Sequence, residues 1–239
     1  MIPLALPLHF PGKIYSYRMN KWPETMEAAS GFRKELARKI RIAPLGKEAG
    51  NIAGVDVAYC DGASVAAAAL YDLEKLVRLE TAVAVADVRF PYIPGYLFFR
   101  EAPLVLAALE KLNRRPEMLM VDGHGIAHPE KAGYASLLGA LLDIPSIGCA
   151  KSRLVGDYDE PGGERGACSP LLYGGETVGA VVRTRKGTRP VFVSPGHLIS
   201  LDEAVAIVLR CAPKFRIPEP LRTADALARK NCREIKSDG

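Results

Sequence analysis

The sequence has no Cys-x-x-Cys pair, no histidine pairing beside its cysteines, and no apolar run near the roughly 18 uninterrupted residues that cross a bilayer. The first two absences argue against a zinc site and the third against a membrane span. The five cysteines, at 60, 149, 168, 211 and 232, are odd in number and scattered, which predicts free thiols in a reducing cytoplasm. Residues 1–12, "MIPLALPLHFPG", are apolar but lack the basic flank and small-residue cleavage site of a signal peptide, and their three prolines break any helix. Residues 1–20 read as an N-terminal arm packed on the body. No linker, repeat or low-complexity tract divides the 239 residues, so one domain is expected. Neither sign of charge is scarce: 32 Lys+Arg against 27 Asp+Glu leave +5, which is compatible with a polyanionic partner without requiring one.

The periodicities present are those of an α/β protein. "WPETMEAASGFRKELARKI" predicts a first helix, with Pro23 at its start and a basic surface of Arg33, Lys34, Arg38 and Lys39. "NIAGVDVAY", "ASVAAAALYDL" and "KLVRLETAVAVADV", joined by short turns, predict a three-stranded antiparallel meander over residues 52–87. A helix over 96–113 and a second in "PEKAGYASLLGALLD" then alternate with the short apolar strands "EMLMVDG" and "IPSIGCA", a pattern of parallel strands joined by crossovers. The expected fold is a mixed five-stranded sheet flanked by helices. Further strands are expected at "TVGAVVRTR" and "PVFVSPG". A helix opened by a Ser200–Glu203 capping box follows, then a basic amphipathic helix near 219–235.

Three acids stand in unusual places. Asp56 interrupts the apolar strand "IAGVDVAY", Asp122 ends "MLMVDG", and Glu101 falls on the helical stripe of Leu97, Leu104, Val105, Ala108 and Leu112. Each alone has an ordinary structural role: Asp122 capping a glycine-rich turn, Asp56 pairing with an arginine, Glu101 hydrogen-bonding at a helix start. If the first strand and the first crossover strand are neighbours, all three converge at one end of the sheet. Clustered carboxylates repel unless a cation shares the site, and hard oxygen ligands specify magnesium or manganese over zinc. The corresponding chemistry is phosphoryl transfer. Lys151, in "GCAKSRL", is either a group that neutralises the scissile phosphate or a surface lysine. His197, in "SPGHLIS", is either a proton-transfer group held by a Pro-Gly turn or a structural histidine. "DGHGIAHP" places glycines on both sides of His124, where backbone amides approach a phosphate or base closely, while His128 adjoins a helix start.

In "RFPYIPGYLFFRE", residues 89–101, Pro91 and Pro94 remove two backbone donors and display Tyr92 and Ile93 on a stiff loop. One reading is a buried proline–aromatic corner. The other is a wedge that enters between base steps when a base is turned out. With these residues, "AGVDVAY", "RFPYIPGYLFFREAPL", "VDGHGIAHP", "IPSIGCAKSRL", "VVRTR", "VFVSPGH" and "RIPEPLR" follow one another in a fixed order over nearly the whole chain. The sequence in this respect resembles endonuclease V, the deoxyinosine 3′-endonuclease family.

That resemblance implies a ribonuclease-H-like fold. It implies recognition of hypoxanthine in DNA and hydrolysis of the second phosphodiester bond 3′ to it. Mg2+ is the expected cofactor, with Mn2+ able to substitute, and a cytoplasmic monomer is expected. By motif, Asp56, Glu101 and Asp122 would be the metal-binding catalytic acids, and Lys151 and His197 would assist at the phosphate. Tyr92, within Pro91-Tyr92-Ile93-Pro94, would be the wedge; Gly95 and Gly123 would form the base pocket, and His128 would belong to the substrate-binding set. His124 departs from the glutamine common in the family, a change that bears on the contacts around the base. Two alternatives stay open: inosine-containing RNA as the substrate, and a lesion-binding module without catalysis.

Overall fold

The computed structural model describes residues 22–237 apart from 24, 61, 88–92 and 94, so the N-terminal arm expected at 1–20 lies outside the described residues. Helix α1 (Met26–Ala37) opens where the extended Thr25 accepts a hydrogen bond from the Ala28 amide at 3.2 Å. The hydroxyl cap sets the start, and Pro23, expected at the first helical position, lies two residues before that cap.

Strands β1 (Asn51–Tyr59), β2 (Ala63–Asp72) and β3 (Arg78–Asp87) form the expected antiparallel meander. β2 is buried on both faces from Val65 to Tyr71, which is why its alanine run shows no alternation. Helix α2 (Leu97–Glu110), strand β4 (Leu119–Val121), helix α3 (Tyr134–Leu142) and strand β5 (Ser146–Ala150) follow, with β1, β4 and β5 mutually parallel. Pro103 sits inside α2 and has no amide to give the Phe99 carbonyl four residues earlier. Trp22 supplies that bond from its indole N–H at 3.0 Å, and its ring packs on Phe32, Phe98 and Phe99.

The sheet has eight strands where the sequence predicts five. β6 (Cys168–Tyr173), β7 (Glu176–Val182) and β8 (Val191–His197) extend it antiparallel from β5, giving the order β3-β2-β1-β4-β5-β8-β7-β6. β7 and β8 are legible as strands, but nothing in their sequence says which sheet they join. β6 is an edge strand carrying Pro170, with Leu171 its one buried side chain, so its sequence shows little of a strand.

Helices α1, α2 and α3 cover one face of the sheet, over Ala53, Val55, Leu119 and Val121. On the other face, α4 (Leu201–Cys211) and α5 (Glu219–Ser237) cover Ile52, Met120, Ile147 and Cys149. The capping box predicted for α4 is present, with Ser200 Oγ accepting from the Glu203 amide and the Glu203 carboxylate accepting from the Ser200 amide. α5 lies directly on β1 at Gly54, where any side chain would collide with the Pro220 backbone. None of the described helices is long and apolar enough to cross a membrane.

The expectation of free thiols is corrected in part. Cys60, just beyond β1, and Cys232 on α5 form a disulfide with Cα atoms 5.5 Å apart, while Cys149, Cys168 and Cys211 are free. Spacing along the chain could not show this, because the pair is 172 residues apart and meets only when α5 docks on the sheet. In the chain-entropy account so long a loop contributes up to about 5 kcal/mol. Reduction with a dithiol is therefore expected to lower the melting temperature by roughly 5–15 °C. Differential scanning calorimetry checks this, and an unmoved transition would show that the tether contributes nothing.

Candidate active site

Backbone pairing brings Asp56 and Asp122 together. Val55 faces Val121 across the parallel β1 and β4, and each acid is the next residue of its chain. The pleat turns Asp56 to the face that carries Gly54, beneath α5. Burial, and then the charge of Asp122, push the Asp56 carboxyl up to about 7, with Lys151 acting against the shift. A hydrogen bond to Asp225 of α5 raises it further.

Asp225 is a member of this cluster that sequence reasoning missed. It also accepts a hydrogen bond from Arg229 Nε at 2.8 Å, and amid the basic residues of α5 it reads as one half of a surface ion pair. A signal was nevertheless present. Leu221, Ala224, Ala228 and Cys232 form the buried stripe of α5, and Asp225 falls on it as Glu101 falls on that of α2.

Glu101 approaches from the opposite face. It is buried, and the Tyr59 hydroxyl donates to its Oε1 at 2.8 Å. Burial drives its carboxyl up to about 7; the Tyr59 bond and Arg100 oppose this, and Asp122 adds to it. The Tyr134 hydroxyl is fully buried nearby with no hydrogen-bond partner, and the charges of Glu101, Tyr59 and Asp56 bear on it.

Lys151, the first residue after β5, forms an ion pair with Asp122. Burial works against its charge, but Asp122, Asp56 and Asp225 outweigh that and hold the ammonium protonated. The Arg216 guanidinium fixes the backbone there, donating to the carbonyls of Lys151 at 2.8 Å, Arg189 at 2.8 Å and Pro190 at 2.9 Å. Between β4 and α3, the Gly125 amide donates to Ser194 Oγ at 2.8 Å, and Gly148 leaves room for the backbone of residues 123–125. Gly123 itself follows Asp122 without such crowding. The His124 ring is held neutral, its pKa lowered to about 4 by burial, and its Nδ1 has no partner.

The remaining predicted residues are more dispersed. Gly95 adopts φ +82°, and its carbonyl receives Arg33 at 3.4 Å, while the half-buried Ile93 accepts from the Tyr96 amide. Pro91, Tyr92 and Pro94 lie outside the described residues. His128 accepts from the Glu130 amide at 3.2 Å, beside the Arg33–Glu130 ion pair.

The structure does not bring His197 to the acids. His197 pairs with Ser146 at the start of β5, whereas Lys151 follows its end, a separation of roughly 15 Å along the strand. Its Nδ1 accepts from the Arg41 amide at 3.2 Å, and its Nε2 lies 3.4 Å from Asp143. In this structure it joins the segment before β1 to the sheet.

The donors of the acid cluster are all carboxylate oxygens, which suit a hard divalent cation. Their raised pKa values and the orphaned Tyr134 hydroxyl mark a buried site short of positive charge and of acceptors. Among the described residues, no three His, Cys, Asp or Glu side chains yet close around one point. Lys151 engages Asp122, and Tyr59 engages Glu101.

The sequence profile of the Endonuclease V family matches residues 34–226. An endonuclease V of Geotalea uraniireducens is 52% identical over 200 residues, covering 84% of this chain and 86% of its own. The crystal structure of an endonuclease V from Streptomyces avermitilis superposes with a TM-score of 0.85 at 44% identity, covering 91% of this chain and 97% of that one. An endonuclease V from Ciona intestinalis, solved with a 24mer DNA containing an inosine followed by a ribo-adenosine, superposes with a TM-score of 0.77 at 27% identity, covering 89% and 100%.

Asp56 and Glu101 both rise to about 7 in the folded chain, from ordinary values of 3.8 and 4.5. Groups shifted upward on folding favour the native state while protonated, so their contribution is full below about pH 4 and is lost as pH rises through about 7. Thermal melts in chelator are expected to show stability falling between pH 5 and pH 8. Asp56→Asn should flatten that fall, and a variant profile parallel to the wild type would contradict the assignment.

Proposed function

Because the chain belongs to the endonuclease V family, we propose that it is a metal-dependent endonuclease that recognises deoxyinosine in DNA and hydrolyses the second phosphodiester bond on its 3′ side. The observation that carries this reading is the grouping of Asp56, Asp122 and Asp225 with Lys151 at one end of the parallel strands, with Glu101 beside them. The inosine-containing DNA bound by the Ciona intestinalis protein supports the choice of substrate.

In this reading Asp56, Glu101, Asp122 and Asp225 hold Mg2+, with Mn2+ able to replace it. The cation supplies charge stabilisation at the phosphate and lowers the pKa of bound water. The protein's own groups do the rest. The four carboxylates that would hold the cation are fixed by β1, by the residue after β4, and by α2 and α5. Lys151 is released from Asp122 to face the phosphate, where its ammonium offsets the charge that builds up on the oxygens. Tyr92, with its flanking prolines, separates the strands while the base is turned out. The close-packed backbone at Gly123–Gly125 forms one wall of the base pocket, where the neutral His124 offers its unpartnered Nδ1 as an acceptor or donor according to tautomer. His197 has no part in the chemistry.

The test is incision of an end-labelled duplex carrying one deoxyinosine, beside its undamaged twin, with Mg2+ and with chelator. A metal-dependent cut one phosphodiester beyond the lesion's 3′ neighbour bond is expected. Asp122→Ala should reduce the rate by more than about 100-fold, and full activity in that variant would sink the mechanism. A strand with inosine in RNA, run at the same salt, separates the DNA reading from the RNA one.

A further inference from the structure

Glu101 reaches the acid cluster from the helix layer opposite to α5, so its carboxylate needs its own means of orientation. One tyrosine bonds to it, and the charge of Glu101 bears on the buried hydroxyl of a second. Tyr59 is the last residue of β1, and its hydroxyl donates to Glu101 Oε1 at 2.8 Å. Its ring is held in turn by the Arg100 guanidinium, 4.4 Å from the ring centre. Tyr134 is the first residue of α3, packed edge-on to Phe98 at 6.0 Å, with a buried hydroxyl that has no hydrogen-bond partner. A phenylalanine would fill that aromatic pocket without burying an unpaired hydroxyl, which destabilises the chain. The groups whose charge bears on this hydroxyl are Glu101 first, then Tyr59 and Asp56.

We propose that Tyr59 and Tyr134 are positioning residues for Glu101, two hydroxyls that flank one carboxylate and set how it presents its oxygens to a bound cation. Tyr59 holds the carboxylate from the strand end. Tyr134 supplies the second donor from the start of α3, with a buried hydroxyl that has no other partner. The inference rests on the metal-dependent reading of the site. Second donors of this kind set ligand direction and metal affinity without touching the metal themselves.

The experiment titrates Mn2+ into the DNA-free chain, following the free ion by electron paramagnetic resonance, for wild type, Tyr59→Phe and Tyr134→Phe. Each variant is expected to bind Mn2+ about 10-fold more weakly. The metal-free melting temperature of Tyr134→Phe should stay level or rise, because the variant loses an unpaired buried hydroxyl. In incision assays the Mn2+ concentration for half-maximal rate should shift by the same factor, with the rate at saturating metal little changed. A merely structural tyrosine would lower the melting temperature and leave Mn2+ affinity alone, and that pattern overturns the proposal. Should Tyr134→Phe fail to fold, Tyr59→Phe, at an exposed position, carries the same test. A wild-type chain that binds no Mn2+ would overturn the metal-dependent reading as well, whereas wild-type binding with unshifted variants removes the tyrosine assignment only.

Discussion

The parallel ladder between β1 and β4 sets two like charges side by side, and much of the surrounding structure answers that repulsion. Backbone hydrogen bonds fix the pairing of Val55 with Val121, so neither Asp56 nor Asp122 can withdraw without breaking strand pairing. Moving β1 by one residue would turn Asp56 into the apolar layer under α2 and α3. Lys151 meets the repulsion because β5 is the next parallel strand and ends at the same side of the sheet. Arg216 pins the carbonyl of that lysine, which makes the C-terminal third of the chain part of the same electrostatic arrangement.

The site is therefore less comfortable than the fold that carries it. Two carboxyls sit far above their ordinary range, and a tyrosine hydroxyl goes unpaired in an otherwise close-packed interior. Features of this kind lower stability and persist where the conformation is held by something larger. Here the restraint comes from the sheet, from α5 seated on Gly54, and from the Cys60–Cys232 link four residues beyond Asp56.

Much of this was legible in the sequence. The meander, the two crossovers and the α4 capping box could be read because alternation, helical spacing and cap chemistry are local signals. Asp56, Glu101 and Asp122 stood out because each breaks an apolar pattern. The eight-strand sheet was not legible, since pairing of β8 with β5 is decided by long-range packing and Pro170 disguises β6. His197 was drawn toward the site by its Pro-Gly setting, although β8 runs antiparallel to β5 and carries that end away from Lys151. Asp225 was hidden by its basic neighbours, and the disulfide by the distance along the chain between its halves.

The docking of α5 also bears on the order in which the protein is made. Asp56, Glu101 and Asp122 leave the ribosome long before residues 219–237, which supply Asp225, Cys232 and the cover for Ile52, Val65 and Ala67. Until then β1 and β2 present a bare apolar face, and the acid cluster lacks a member. A nascent chain thus passes through a stage that is sticky and chemically incomplete at once, and a single late helix ends both conditions together.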